Sequence, residues 1–89
     1  MKFFCVLMFF GFTINLSAQL DTVKTYFTNG NLESVVIYEK NVRQGEAIFY
    51  WENGSIKEKR NYVNDKVFGT VTSYYENGNM KELYSIEDG

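Results

Sequence analysis

The chain has 89 residues, which limits it to one domain, and its net charge of −2 gives no electrostatic reason to bind nucleic acid. It contains one Cys and neither His nor Pro. The absence of His excludes a Ser–His nucleophile, and together with the single Cys it excludes zinc sites of the usual kind.

The N-terminal segment has the three-part pattern of a secretory signal peptide. Lys2 precedes an apolar run, Phe3 to Phe12, which gives way to small residues ending at Ala18. The run is shorter than the about 20 residues that a transmembrane helix needs. We therefore predict a signal peptide at residues 1–18, cleaved after Ala18, and a secreted, periplasmic or cell-envelope location. An uncleaved membrane anchor and a buried N-terminal strand are the alternatives.

Cleavage at this point would change the chemistry of the mature chain in two ways. It would remove Lys2 and no acidic residue, so the net charge would become −3. It would also remove Cys5, the only cysteine, so no disulfide could stabilise the exported fold. Packing and hydrogen bonds must then hold the fold by themselves.

A nine-residue phrase recurs at an interval of 24 residues. It reads YWENGSIKE from Tyr50 and YYENGNMKE from Tyr74, and a weaker copy, YFTNGNLES, begins at Tyr26. A fixed period of this length indicates a repeat architecture, in which one supersecondary unit recurs. We predict a repeat domain over residues 19–89 with copies near 25–48, 49–72 and 73–89.

The turns of each unit can be placed from the sequence. An Asn-Gly pair between β-rich runs is typical of a two-residue type I′ hairpin turn, so we predict such turns at Asn29-Gly30, Asn53-Gly54 and Asn77-Gly78. The alternate connections, 39–45 and 63–69, are predicted to be longer and looser. Gly45 and Gly69 end them and supply conformations that other residues resist.

Six extended runs rich in Val, Ile, Thr, Tyr and Phe lie between these turns. They cover residues 22–28, 31–38, 46–52, 55–62, 70–76 and 79–86. Short connections between successive strands predict an antiparallel meander. The predicted fold class is therefore all-β: repeated β-hairpins that form one elongated, twisted sheet after the signal peptide.

Alternation along the strands predicts two different faces. Two-residue turns would pair Phe27 with Leu32, Trp51 with Ile56, and Tyr75 with Met80. The face that carries these pairs is expected to be buried, and its other members are Val36, Tyr38, Ala47, Phe49, Glu58, Arg60, Tyr62, Val71, Glu82, Tyr84 and Ile86. Glu58, Arg60 and Glu82 would be costly there unless they are paired or lie at the rim.

The opposite face carries a line of repeated tyrosines, each predicted to lie across from Glu33, Lys57 or Lys81. The candidate binding face consists of Tyr26, Tyr50, Tyr74, Lys57 and Lys81. A single sheet cannot cover both of its own faces, so we expect either strong coiling or a partner surface.

The repeated phrase, with a later Tyr62 and Gly69, resembles the bacterial MORN repeat variant found in the YwqK-type antitoxin family. The best-matching positions are Tyr50, Glu52, Asn53, Gly54 and Lys57, with Tyr74, Glu76, Asn77, Gly78 and Lys81. The sequence departs from the family where Ala47 and Val71 replace a frequent Trp. The resemblance implies β-hairpin repeats, a role in protein or membrane association, and no catalytic residues.

Three functions fit this sequence. The preferred one is an exported, non-enzymatic scaffold that binds a protein, either an envelope protein or another copy of itself, with a membrane surface as a further partner. The alternatives are an antitoxin of a toxin–antitoxin pair, which an exported chain fits poorly, and a carbohydrate-binding module that uses the tyrosine line. We predict no enzymatic activity, because repetition accounts for the spacing of Glu58 and Glu82, the remaining candidates for a catalytic carboxylate pair. We also predict no cofactor and no metal, because turn chemistry accounts for the Glu-Asn-Gly corners.

Overall fold

The computed structural model describes residues 20–87, and the predicted signal peptide at residues 1–18 lies outside them. The described residues form one sheet of antiparallel strands, as predicted. No helix long and apolar enough to cross a membrane occurs between residues 20 and 87. The strands are β1 (Leu20–Tyr26), β2 (Leu32–Glu39), β3 (Val42–Tyr50), β4 (Ile56–Val63), β5 (Lys66–Val67), β6 (Gly69–Tyr74) and β7 (Met80–Ile86).

The strands follow one another as a meander. Their order in the sheet is β1-β2-β3-β4-β6-β7, and the two-residue β5 also pairs with β4. Together β5 and β6 occupy the repeat position of β3, with an interruption at Phe68. The N–H of Phe68 donates to the carbonyl of Asn61 at 2.8 Å, which keeps the chain attached to β4 across the interruption. The six-strand prediction is therefore confirmed, with one strand divided in two.

The core lies at the centre of the sheet, on the face predicted to be buried. Ala47, Tyr62 and Val71 are only 0%, 4% and 2% exposed. The register places Ala47 opposite both Val36 and Arg60, so one row of side chains crosses the central strands. We call this the core face; its burial is greatest where a strand has neighbours on both sides.

The Asn-Gly turns differ from the prediction. Gly30 has positive φ but Asn29 does not, and a type I′ turn needs positive φ at both residues. Instead, Gly30 N–H donates to the Phe27 carbonyl at 2.9 Å, and Phe27 N–H donates to the Asn31 carbonyl at 2.8 Å. These bonds define a three-residue loop that ends in a left-handed Gly. The turns at Gly54 and Gly78 repeat the same two bonds.

The type I′ geometry occurs in the connections that were predicted to be long and loose. Lys40 and Asn41 have φ of 53° and 70°, and the flanking residues of β2 and β3 pair directly. Asn64 and Asp65, with φ of 51° and 73°, make the equivalent turn. The prediction was wrong because Gly45 and Gly69 were read as loop ends, whereas Gly45 lies inside β3 and Gly69 is the first residue of β6.

The loop type also changes the pairing next to each Asn-Gly turn. Tyr26 pairs with Leu32, Tyr50 with Ile56 and Tyr74 with Met80. The predicted pairs beside each turn are therefore wrong by one residue. One set joined these tyrosines to Glu33, Lys57 and Lys81. The other set joined Phe27, Trp51 and Tyr75 to Leu32, Ile56 and Met80.

The rest of each hairpin keeps the predicted register. Thr25 pairs with Ser34, Phe49 with Glu58 and Ser73 with Glu82. The three-residue loop holds one residue more than a two-residue turn, and a bulge in the returning strand absorbs it. The faces of the sheet are consequently those that the sequence predicted.

Candidate functional site

The Asn-Gly turns are joined to one another through their asparagine side chains. Asn29 Nδ2 donates to the carbonyl of Glu52, in the next turn, at 3.2 Å. Asn31 Nδ2 donates to the same carbonyl at 2.7 Å. Within its own turn, Asn29 Oδ1 accepts the N–H of Asn31 at 2.8 Å. The amide therefore shapes one turn and binds the next.

The second turn repeats this arrangement toward the third. The carbonyl of Glu76 accepts from Asn53 Nδ2 at 3.2 Å and from Ser55 Oγ at 3.0 Å. We call this series of linked turns the turn ladder. The sequence analysis assigned Asn29, Asn53 and Asn77 to turns alone. The sequence did indicate bonding between turns: all three positions hold Asn rather than Asp or Gly, and of these three side chains only the amide supplies both an acceptor and a donor.

Aromatic side chains and lysines extend the ladder onto the sheet. Trp51 Nε1 donates to the carbonyl of Tyr74 at 3.2 Å, so the indole reaches across β4. Lys57 Nζ lies 4.9 Å from the centre of the Trp51 ring, and Lys81 Nζ lies 5.8 Å from that of Tyr75. The two lysines of the candidate binding face thus contact the aromatic residues that follow Tyr50 and Tyr74.

The three repeated tyrosines lie on the face of the sheet opposite to the core face, and we call it the tyrosine face. Alternation along β1, β3 and β6 places Tyr26, Tyr50 and Tyr74 there. Tyr26 is 58% exposed, whereas Tyr50 and Tyr74 are half-buried. A shallow depression has a volume of about 390 Å³ and is lined by Glu46, Lys59, Arg60, Asn61, Thr70 and Thr72. Alternation along the strands places all of these except Arg60 on the tyrosine face.

Two of the three charged residues predicted on the core face, Glu58 and Arg60, form a compact cluster, whereas Glu82 is exposed on β7. Arg60 Nε donates to Glu58 Oε2 at 2.6 Å, and Arg60 Nη1 donates to the Tyr62 hydroxyl at 3.1 Å. The guanidinium also lies 5.1 Å from the centre of the Phe49 ring. Burial lowers the pKa of Arg60, but these hydrogen bonds outweigh it and the pKa is raised. Pairing therefore offsets the expected cost of burying these charges.

A second arginine, Arg43, binds the same Tyr62 hydroxyl from β3 and also binds the turn that follows β4. Arg43 Nε donates to Asp65 Oδ1 at 2.5 Å, and Arg43 Nη1 donates to the Tyr62 hydroxyl at 3.2 Å. The hydrogen bond from Arg43 lowers the pKa of Asp65 and raises that of Arg43. The sequence analysis missed this pair because its members are separated by 22 residues and only the sheet brings them together.

The glycines of the predicted turns occupy two kinds of place. Gly30, Gly54 and Gly78 close the turn ladder with positive φ and open space around them. Gly45 lies inside β3 with φ of 109°, where a Cβ would meet Ile37 at 3.7 Å. Gly69 begins β6 with φ of 84°. A side chain at any of these positions would be strained by its backbone.

No three His, Cys, Asp or Glu side chains between residues 20 and 87 converge on a common point. Glu58, one of the two regularly spaced carboxylates, is already bound by Arg60. The geometry offers aromatic, amide and paired ionic groups over a flat surface, which suits a macromolecular partner.

The comparison with protein families gives one match. The family described as MORN repeat variant matches residues 22–40, 43–64 and 69–88. Each matched segment covers the two strands of one hairpin around an Asn-Gly turn. No curated protein and no solved structure matches the chain.

Proposed function

The chain belongs to the MORN repeat variant family, and from this we propose that it is an exported, non-enzymatic scaffold whose tyrosine face binds a protein of the cell envelope. Repeats of this family suggest a repeat-based binding scaffold and generally act as modules of protein or membrane interaction. Export and an envelope-protein partner go beyond these general properties of the family.

The single layer of the sheet carries the proposal. Domains normally bury a sheet face against a second layer of secondary structure. Between residues 20 and 87 there is one sheet, and the buried hydrophobic residues are Ala47, Tyr62 and Val71 alone. A protein partner would supply the missing layer.

The tyrosine face is the better docking surface of the two. The centre of the core face is already filled by Tyr62 and by the paired Arg60 and Glu58. The tyrosine face instead combines exposed aromatic area at Tyr26 with the shallow depression beside Lys59. Tyrosine contributes apolar contact area and a hydroxyl at low entropic cost, and for that reason it is enriched in protein interfaces.

The signal-like pattern of residues 1–18 supports export. The test is the intact mass of the untagged protein in each fraction of its host cell. We expect the mass of residues 19–89 outside the cytosol. Full-length protein in the cytosol would contradict export and would favour the antitoxin alternative.

The envelope partner can be tested by a photo-crosslinking amino acid at Thr70, which is exposed in the lining of the depression. The matched control places the same group at Lys66, which is exposed in the two-residue β5. We expect one envelope-protein adduct from position 70 that position 66 does not form. Equal adducts from both positions, or none from either, would contradict a docking role for the tyrosine face.

The carbohydrate alternative predicts a different result from the same surface. If the tyrosines stack on sugar rings, Tyr26→Ala should abolish binding to cell-wall glycans while the sheet persists in circular dichroism. We expect no glycan binding by the unaltered protein. Retention on a glycan column that Tyr26→Ala removes would replace the envelope-protein proposal.

A further inference from the structure

The two outer strands, β1 and β7, each pair on one side only within residues 20–87. Most of the exposed large apolar side chains lie on these strands or at the turn that leads into β7. They are Leu20, Val23, Tyr26, Tyr75, Met80, Leu83 and Tyr84. An open strand edge with apolar side chains is a template for pairing with another chain.

The turn ladder is also incomplete at both ends within residues 20–87. Asn77 Oδ1 accepts the N–H of Asn79 at 2.9 Å, which leaves Asn77 Nδ2 as a donor without a following turn. Asn79 stands at the repeat position of Asn31 and Ser55, both of which donate to the next turn. At the other end, the carbonyl of Thr28 occupies the position of the acceptors Glu52 and Glu76. The two ends are complementary.

Neighbouring hairpins are joined by the strand pairs β2–β3 and β4–β6, and we call each of these pairs a joint. The two joints share one register. In the first joint Ser34 pairs with Phe49, and in the second Glu58 pairs with Ser73, one period later. The next joint of this series would place Glu82 opposite a residue at the repeat position of Phe49 and Ser73. Thr25 in β1 holds that repeat position, and the direction of β1 in the meander is the one required.

We propose that β7 of one copy pairs antiparallel with β1 of a second copy, so that the sheet and its turn ladder continue from chain to chain. This deepens the proposed function and rests on it, since it names another copy of the scaffold as a partner. The register places Leu83 opposite Lys24 and Tyr84 opposite Val23 of the second copy. No like charges face each other in these pairs.

The same joint completes the hydrogen bonds of the ladder. Asn77 Nδ2 and the Asn79 side chain donate to the carbonyl of Thr28 of the second copy, as their equivalents do inside the chain. An unrelated peptide could pair with β7 through its backbone, but it would also need a turn that brings a carbonyl to these two donors, as the Asn-Gly turns do at Glu52 and Glu76. Each joined pair still has a free β1 and a free β7, so assembly is head-to-tail and open-ended.

Disulfide capture tests the register. Lys24→Cys and Leu83→Cys are made separately in a Cys5→Ser background, and the proteins are purified in the form that the host accumulates. Under mild oxidation, we expect a mixture of the two variants to give a disulfide-linked heterodimer. We expect the double variant to give a series of disulfide-linked oligomers of increasing size. Thr70→Cys, exposed but away from both edges, is the matched control and should stay monomeric.

The outcomes that overturn the inference are distinct from failure of the proposed function. Leu83→Cys linked to itself would show symmetric pairing of two β7 strands instead. Linkage no stronger than that of the Thr70→Cys control would exclude the edge joint. An envelope-protein adduct from position 70 on a protein that remains monomeric would leave the proposed function standing and remove only this inference.

The amide donor can be removed without changing the turn. Asn77→Asp keeps the oxygen that accepts from Asn79 and deletes the Nδ2 donor. Loss of one such bond should raise the concentration for half-assembly about fivefold to tenfold in analytical ultracentrifugation. Leu83→Lys should abolish assembly, because a lysine would then face Lys24 across the joint. Unchanged assembly of Leu83→Lys would overturn the inference.

Discussion

The hairpin β3–β4 and the hairpin β6–β7 carry nearly the same phrase in different surroundings. Trp51 in the first is half-buried and its indole binds the Tyr74 carbonyl. Tyr75 holds the same repeat position in the second and is 52% exposed. The phrase specifies a hairpin in both cases, whereas burial depends on whether another hairpin follows.

Val23 and Val71 occupy equivalent positions of the repeat, and they show the same contrast between two identical residues. Val71 is buried in β6, and Val23 in β1 is 43% exposed. Both lie on the core face, since Val71 pairs with Tyr84 and Val23 pairs with Val36. Equivalent substitutions in the two regions should therefore have unequal effects on the free energy of unfolding.

The largest effect is expected at Tyr62. Tyr62→Ala removes a ring buried on the core face and the hydroxyl that accepts from Arg43 and Arg60. We expect a loss of about 3 kcal/mol, against about 1 kcal/mol or less for the exposed Tyr84→Ala. Urea unfolding of dilute, monomeric protein measures both. Equal losses would mean that the centre of the sheet is no better packed than its edge.

A matched pair of valines makes the comparison stricter. Val71→Ala deletes two buried methyl groups and leaves a cavity, so we expect a loss of about 2 kcal/mol. Val23→Ala should cost less than about 0.5 kcal/mol at concentrations where the chain is monomeric. Urea midpoints with unchanged slopes would give the difference directly. A cost at Val23 as large as that at Val71 would contradict the burial of the two positions.

The turn ladder offers an isosteric test. Asn53→Asp keeps the acceptor of the Ser55 N–H and removes the donor to the Glu76 carbonyl. We expect a loss of about 1 kcal/mol, because one interturn hydrogen bond disappears. Asn77→Asp, whose amide has no following turn within residues 20–87, is the control and should leave the stability of the monomer almost unchanged. Thermal unfolding of both variants in dilute solution would compare the stability contributed by the Asn53 amide, inside the turn ladder, with that contributed by the Asn77 amide at its end.

The smallest effect concerns pH and the turn at Asp65. Arg43 lowers the pKa of this carboxyl in the folded chain. The resulting stability is fully present above the unfolded pKa of 3.8 and is lost as the pH falls through the lower, folded value. Asp65→Asn should remove this part of the acid dependence while keeping a residue suited to positive φ. Identical acid-unfolding curves for the variant and the unaltered protein would show that the ion pair adds nothing.

The body of each hairpin could be predicted because the residues are only a few positions apart. The alternation of apolar and polar residues placed Ala47, Tyr62 and Val71 on one face, and the structure buries all three. The turn types could not be predicted in the same way. Asn-Gly is compatible with both a two-residue and a three-residue loop, and all three turns take the three-residue form, in which the Asn Oδ1 accepts the N–H two residues later.

The arginine contacts lay beyond sequence reasoning for a related reason. Glu58 and Arg60 were predicted to share a face, and they form an ion pair there. Arg43 and Asp65 gave no such indication, because the start of β3 and the type I′ turn after β4 meet only at the open end of the β3–β4 hairpin. A pair within one strand follows from alternation, whereas this pair depends on the kind of turn that follows β4.

By itself, the sequence determined an all-β meander, its 24-residue period, the two faces and the register in the body of each hairpin away from the Asn-Gly turn, because these follow from local alternation and from the positions of the turns. The tertiary structure alone decided which equivalent residues are buried, how the Asn-Gly turns bind one another and where Arg43 pairs. The first two depend on the neighbouring hairpin, because a repeated phrase is the same whether or not a neighbour is present. The third depends on the turn after β4, which brings Asp65 to Arg43 across 22 residues of sequence.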